Sequence, residues 1–130
     1  MTPGNSRPPL SEAQLEIMNV VWDRGEVTVA DVWKAVASRR KVSRNTVLTM
    51  LTRLEEKAWL SRDEEGHAFR YRATVPREVT LGTMIGRLVD TAFGGSAEGL
   101  VMAFLHGRGV SREEARRIRT MISRAEGKGP

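Results

Sequence analysis

Three helix-start signals lie close together in the first part of the sequence, and they constrain the fold most strongly. Ser11 is followed three residues later by Gln14, Thr28 by Asp31, and Ser43 by Thr46. A Ser or Thr that accepts a hydrogen bond from the backbone three residues on begins a helix, and Gln or an acid at that third position completes a capping box. Thr46 cannot complete one, so Ser43 is interpreted as a simple N-cap. The spacing predicts three short helices joined by tight turns, over about 11–24, 28–40 and 43–58.

The third of these helices has two chemically different faces. At 100° per residue, four residues fall within about 60° of one another and are predicted to be buried; they are Val47, Leu51, Leu54 and Ala58. The opposite face carries Asn45, Thr49, Thr52, Arg53 and Glu56, with Leu48 and Thr46 at its margins. The N-terminal half of this face therefore offers side chains that can hydrogen-bond base edges or contact a thymine methyl group.

The hydrophobic period changes after the third helix. Phe69, Tyr71 and Ala73 alternate with polar residues, which is typical of a half-buried strand. Residues 60–62 can pair with that strand across a turn formed by 63–67, and Pro76 ends the strand region. We expect a β-hairpin that directs Arg70 and Arg72 outward.

The pattern is helical again after Pro76. Apolar residues mark one helix that ends at Gly94-Gly95, a short helix over 100–105, and a basic amphipathic helix that starts at a capping box formed by Ser111 and Glu114. Three helices of this length cannot bury all their apolar residues alone, so a second copy is expected to cover them. The predicted dimer interface comprises Leu81, Met84, Ile85, Leu88, Phe93, Leu100, Phe104, Ile118, Met121 and Ile122.

The positive charge is concentrated in one window. The 130 residues carry a net charge of +5, yet residues 32–54 contain six Lys and Arg and no acid. A charge run of this kind is often only a solvated face. Here it coincides with closely spaced helices and a following hairpin, and this combination favours nucleic-acid binding. The fold class predicted is mainly α with a small β-hairpin wing. It comprises a winged helix-turn-helix domain over 10–76 and a helical dimerisation region over 77–126, with a disordered N-terminal tail at 1–9 and a C-terminal tail at 127–130.

Composition and motifs argue against several other classes. The absence of Cys excludes disulfides, thiolate metal sites and a cysteine nucleophile. We find no G-x-S-x-G, P-loop or H-E-x-x-H motif, so we expect no enzyme and no cofactor. His67 and His106 lack a supporting ligand pattern, so no metal site is expected. No apolar stretch is long enough for a secretory signal or membrane insertion, and the basic helix over 111–126 has no aromatic anchor. A cytoplasmic location is expected.

Residues 10–126 resemble the penicillinase repressor (BlaI/MecI) family of bacterial transcriptional repressors. Four segments carry the resemblance: QLEIMNVVW from Gln14, SRNTVLTMLTRLEEK from Ser43, FRYR from Phe69, and F-G-G-S-x-x-x-L-V-x-x-F from Phe93. It implies a sequence-specific repressor that binds a palindromic operator in double-stranded DNA as a homodimer. The positions that match the DNA-reading helix and the wing are Ser43, Arg44, Asn45, Thr46, Thr49, Arg53, Arg70 and Arg72. Arg53 has an alternative role, since it could pair with Glu56 or Asp63.

The resemblance also implies ways in which the repressor could be inactivated. Family repressors controlled by an antibiotic-sensing membrane protease are cut within the helix that matches 100–105, and the matching junction here is Ala103-Phe104. It lacks the Asn of the methicillin-resistance members. The copper-responsive branch carries Cys-x-Cys and is excluded because this chain has no Cys.

The turn of the hairpin departs from what a DNA-binding wing needs. Asp63, Glu64 and Glu65 would be repelled by phosphate, so the tip is expected to stay off the DNA backbone or to approach it only through Gly66 and His67. Two alternative functions stay open at this point: a winged helix that binds DNA without sequence preference, and one that binds protein.

Overall fold

The computed structural model describes residues 7–66 and 68–126, with the side chain of Glu65 left out. Within this part of the chain there are six helices and one two-stranded antiparallel sheet. In chain order the elements are α1 (Glu12–Arg24), α2 (Val29–Ala37), α3 (Arg44–Glu56), β1 (Leu60–Glu65), β2 (Ala68–Ala73), α4 (Arg77–Ala92), α5 (Ala97–Gly107) and α6 (Arg112–Ala125). The predicted fold class is confirmed.

The predicted caps begin the helices at the expected residues. Ser11 and Gln14 form a reciprocal capping box, and so do Thr28 and Asp31. Ser43 caps α3 by accepting a hydrogen bond from the backbone N–H of Thr46. The cap of α6 is only half of the predicted box: Ser111 accepts from the N–H of Glu114, and a return bond from the Glu114 side chain is absent from the described residues.

Two predicted helix ends were too late. Helix α2 stops at Ala37 rather than near residue 40, and α3 stops at Glu56. Ala58 was assigned to the buried face of α3, and this is wrong: it lies beyond the helix, is exposed, and has a φ of 67°. Its left-handed backbone turns the chain, and the N–H of Trp59 then donates to the carbonyl of Leu54 at 2.9 Å.

The hairpin is longer than predicted, because the acids belong to a strand. Asp63 pairs with Arg70 and Glu64 with Phe69, so β1 continues to Glu65 instead of ending at residue 62. A third segment joins the sheet, since Val27 and Tyr71 exchange backbone hydrogen bonds of 3.0 and 2.8 Å. Phe69, expected on the buried side, is 40% exposed because it lies near the free end of the hairpin, beyond the core.

Contacts divide the chain into two compact units, the first ending at Ile85 and the second beginning at Gly86. The division falls inside α4, later than the boundary at 76/77 that the sequence predicts. The first unit contains a core of fourteen buried hydrophobic residues. Its members are Ile17, Met18, Val20, Val21, Val27, Val32, Val36, Val47, Leu51, Leu54, Trp59, Leu60, Tyr71 and Val75.

The N-terminal segment contacts this core at its edge. The Trp59 indole donates to the carbonyl of Pro8 at 3.0 Å, and Arg7 donates to the carbonyl of Ala58 at 2.7 Å. These bonds fix residues that the sequence assigned to a disordered tail. Residues 1–6 of that tail, and residues 127–130, lie outside the described residues.

The second unit is built differently. Among its described residues none is buried, and apolar side chains are exposed on all three of its helical segments, including Leu88, Phe104 and Ile122. No single described helix is long and apolar enough to cross a membrane; α4 and α5, bent by 96°, meet that test of length and composition only as a pair.

Candidate nucleic-acid interface

The exposed face of α3 forms one continuous polar ridge. Asn45, Thr49 and Arg53 are spaced four residues apart, so they lie along the same side of the helix over about 12 Å. All three are exposed, and their side chains make no hydrogen bond or ion pair with any described residue. The expected alternative for Arg53 is not seen, because Asp63 pairs with Arg72 instead. The ridge is therefore free to meet an external ligand.

Ser43 and Thr46 have a structural role at the start of α3. The Thr46 backbone N–H donates to Ser43 Oγ at 3.1 Å, and Ser43 Oγ donates to Thr46 Oγ1 at 2.9 Å. Both side chains are exposed. The Ser43 hydroxyl both donates and accepts in these bonds, whereas Thr46 still offers a ligand its own O–H donor and its methyl group.

Arg44 is held in place by an aromatic residue of α2, Trp33. Its guanidinium carbon lies 4.8 Å from the centroid of the Trp33 ring, a cation–π distance. Trp33 in turn donates its indole N–H to the carbonyl of Val42 at 2.9 Å. Helix α2 thus positions the first residue of α3. Nothing in the apolar spacing of α2 distinguishes Trp33 from its core neighbours.

The turn before α3 is tied to α1 by an acid outside the basic window. Glu16 lies 3.0 Å from Arg40 and 4.0 Å from Arg39. This pairing lowers the net charge of the turn. Lys34 and Lys41 are exposed and make no ion pair with a described residue. The basic window is therefore less positive in the folded chain than its composition suggests.

The two arginines predicted for the wing differ in exposure and in their partners. Arg72 is exposed and pairs with Asp63 and, at 3.9 Å, with Glu26. Arg70 is half-buried, and it lies opposite Asp63 in the ladder. Asp63, one of the acids that were expected to repel DNA at the tip, thus pairs with a cation of the wing itself.

A further contact of the wing was not predicted. The guanidinium carbon of Arg62 lies 4.0 Å from the centroid of the Phe69 ring, and its Nε is 3.4 Å from a carboxylate oxygen of Glu55. This chain of contacts connects the end of α3 to the hairpin. These are contacts between the wing and the helix that carries the polar ridge.

The charge of Arg70 in the wing affects the pKa of Asp31 at the start of α2. The pKa of Asp31 is lowered below 3.8, chiefly because its carboxylate accepts a hydrogen bond from the Thr28 backbone N–H at 3.0 Å. The Thr28 hydroxyl and the nearby charges of Arg24 and Arg70 lower the pKa further, whereas burial opposes them.

The predicted interface residues of the second half are distributed over α4, α5 and α6. Five of them are half-buried: Leu81 and Met84 in α4, Phe93 between α4 and α5, Leu100 in α5, and Ile118 in α6. Five others are 42–64% exposed: Ile85, Leu88, Phe104, Met121 and Ile122. Ala103 and Phe104, the candidate cleavage site, are both exposed and lie inside α5.

No group of three or more His, Cys, Asp or Glu side chains that could hold a metal ion occurs among the residues that the structure describes. His106 is exposed in the last turn of α5. His67 lies outside the described residues.

Comparisons with a family model, with known proteins and with solved structures agree with one another. A family model described as penicillinase repressor matches residues 10–124. A penicillinase repressor of Bacillus licheniformis is 28% identical over 107 residues, covering 82% of this chain and 84% of that protein. The methicillin resistance regulatory protein MecI of Mammaliicoccus sciuri is 22% identical over 120 residues, covering 92% and 98%. Among solved structures, the DNA-binding domain of the repressor BlaI is 33% identical with a TM-score of 0.50, over 54% of this chain and 85% of that one.

Proposed function

The chain belongs to the penicillinase repressor family, and we propose that it acts as a homodimer on a palindromic operator, with α3 in the major groove. It is a DNA-binding transcriptional repressor, and the family is not one of enzymes. The observation that carries the proposal is the exposed polar ridge of α3, whose side chains have no partner among the described residues.

The N-terminal half of α3 would make the base contacts. The Asn45 side chain has both donor and acceptor atoms, which is the pattern that pairs with the edge of adenine. Thr49 adds a hydroxyl and a methyl group one turn later. Arg44, held over Trp33 at 4.8 Å, and Arg53 lie near the two ends of the ridge, where they can contact phosphate or guanine.

The wing would add phosphate contacts rather than sequence information. Arg72 is already paired with Asp63 and Glu26, so a phosphate must compete with two carboxylates for it. Arg70 is half-buried, so its reach is shorter. We therefore expect the wing to contribute less to DNA affinity than the cations of α3 and its preceding turn.

Dimerisation is supported by the composition of the second unit. Leu88, Phe104 and Ile122 are 44%, 42% and 55% exposed, and none of the described residues of this unit is buried. Apolar surface of this extent usually marks a protein–protein interface. Two-fold symmetry would place two copies of α3 on successive turns of the DNA, matching a palindrome.

We also propose that cleavage within α5 inactivates the repressor. The Ala103-Phe104 bond is exposed, but it lies in the middle of α5, where a protease cannot accommodate the helical backbone without local unfolding. A membrane sensor protease, acting on this cytoplasmic repressor, would cleave the helix while it is transiently open. Cutting there would divide the apolar surface that holds the two copies together.

The test of the base-reading role is the substitution Asn45→Ala, with Asn19→Ala as the matched control. Asn19 is also an exposed helical asparagine, but it lies in α1, outside the ridge. Binding is measured by fluorescence anisotropy on the promoter DNA upstream of the protein's own gene and on scrambled DNA of equal length. Asn45→Ala should lower affinity for the promoter about 10-fold, because one bidentate contact contributes about 1–3 kcal/mol, and should leave scrambled DNA unaffected.

An equal loss on both DNAs would contradict base reading and favour DNA binding without sequence preference. Absence of DNA binding by the unaltered chain would favour the protein-binding alternative. Asn19→Ala should match the unaltered chain on both DNAs.

A further inference from the structure

Helix α6 carries arginines that form no ion pair with any described residue, whereas several arginines of the first unit do. In the first unit Arg40, Arg62 and Arg77 are held by Glu16, Glu55 and Asp23. In α6 five arginines are exposed and form no ion pair with any described residue. They are Arg112, Arg116, Arg117, Arg119 and Arg124.

Part of this charge is gathered on one side of the helix. Arg116, Arg119, Thr120, Ser123 and Arg124 line a shallow, open recess on the surface of α6. Wheel positions at 100° per residue place the apolar residues of α6 on the opposite side. A second copy that covers the apolar side would therefore leave the basic side accessible.

The chemistry of the recess matches an array of phosphates. Guanidinium groups bind phosphate oxygens through paired N–H donors, and the Ser123 hydroxyl adds one more donor. Arg116 and Arg124 are about 12 Å apart along the helix axis, over which double-stranded DNA carries about seven charges. Helix α6 has five arginines against two acids, Glu113 and Glu114.

We propose that the basic side of α6 is a second DNA-binding surface, which contacts the phosphate backbone of double-stranded DNA independently of α3. It would raise affinity for DNA of any sequence and leave operator preference to the ridge. An anionic membrane is the competing ligand. Duplex DNA is favoured because no aromatic residue of α6 could anchor it at a bilayer.

The test compares two double variants of the full chain. Arg116→Gln/Arg119→Gln removes two charges from the recess, whereas Arg87→Gln/Arg108→Gln removes two exposed, unpaired charges of the same unit outside it. Affinity for scrambled duplex DNA is measured from about 50 to 200 mM salt. The recess variant should bind about 10-fold more weakly at the middle of this range, with a salt slope smaller by about 1.8, because each lost phosphate contact removes about 0.9.

The promoter-to-scrambled affinity ratio should stay unchanged, and Arg116→Lys/Arg119→Lys should restore the slope, since charge alone carries the effect. An unchanged slope, or an equal change in the control variant, would overturn the proposal while leaving the role of Asn45 intact.

Two further measurements test competing roles. Sedimentation of the recess variant as a different oligomer would assign these arginines to contacts between copies and overturn the proposal. Binding of the chain to vesicles that contain about 30% phosphatidylserine tests the membrane alternative. Vesicle binding that needs Arg116 and Arg119, together with an unchanged DNA slope, would overturn the proposal in favour of a membrane surface.

Discussion

The two units of this chain contrast in what stabilises them. The first buries fourteen hydrophobic residues and pairs many of its arginines with acids. The second buries none of its described residues and leaves the arginines of α6 unpaired. The first therefore has the features of a unit that folds around its own core, whereas the second has the features of one completed by contact with another molecule. The surface proposed to meet DNA in the first unit is thus polar and lies on a packed core, whereas the second unit exposes apolar side chains.

The largest effect is expected from the core of the first unit. Leu51→Ala removes a fully buried side chain from α3 and should lower the free energy of unfolding by about 3 kcal/mol, from lost burial and the cavity left behind. Urea unfolding followed by tryptophan fluorescence measures this, because Trp22, Trp33 and Trp59 all lie in the first unit. A loss below about 1 kcal/mol would show that this core contributes less than its burial indicates.

A smaller effect, of a different kind, is expected in the second unit. Phe104 and Leu48 are both 42% exposed, but only Phe104 lies in the proposed interface. Phe104→Ala should weaken self-association about 30-fold, as for a central interface residue, and Leu48→Ala should leave it unchanged. Sedimentation equilibrium over a range of protein concentrations measures both. Equal association constants for the two variants would remove α5 from the interface.

Next in size is the positioning of Arg44 by Trp33. Trp33→Leu should weaken promoter binding about 2–5-fold, because a cation–π contact contributes about 0.5–1 kcal/mol. The double-mutant cycle with Arg44→Ala separates this contact from the indole's bond to Val42. Additive losses in the cycle would show that Trp33 acts on DNA binding without Arg44.

The smallest effect concerns acid stability. Because the folded state lowers the pKa of Asp31 below 3.8, its ionised carboxylate stabilises the fold above about pH 4, and this contribution is lost as the pH falls through the lowered pKa. Asp31→Asn should therefore lower the free energy of unfolding by less than about 1 kcal/mol at neutral pH. This loss relative to the unaltered chain should become smaller near pH 3. Asp90→Asn, at an exposed aspartate without a partner among the described residues, is the control. If the difference in the free energy of unfolding between Asp31→Asn and the unaltered chain does not change with pH, the Asp31 carboxylate does not make this contribution.

Sequence reasoning was most successful where a local hydrogen bond decides the structure. Ser11, Thr28 and Ser43 begin helices as predicted, because an N-cap depends on residues only three positions away. The failures involve partners distant in sequence. Ala58 adopts a left-handed φ that its side chain does not encode, and the bridge between Val27 and Tyr71 joins residues 44 positions apart. The length of the hairpin was missed because Asp63 and Glu64 resemble turn residues until Arg70 and Arg72 are placed beside them.

The same limit applies to the candidate interface. The wheel of α3 predicted that Asn45 and Thr49 are exposed, and both are. The roles of Glu16, Trp33 and Arg62 depend on how helices and the hairpin pack against one another, so no spacing along the chain could reveal them.

The most direct test of the account is a titration of the full chain with promoter DNA from upstream of its own gene, compared with scrambled DNA of equal length. Affinity and stoichiometry are measured by fluorescence anisotropy at two salt concentrations. The account predicts a preference of about 10³ or more for the promoter, with two protomers bound per site. Equal and steeply salt-dependent binding to both DNAs, or one protomer per site, would contradict it.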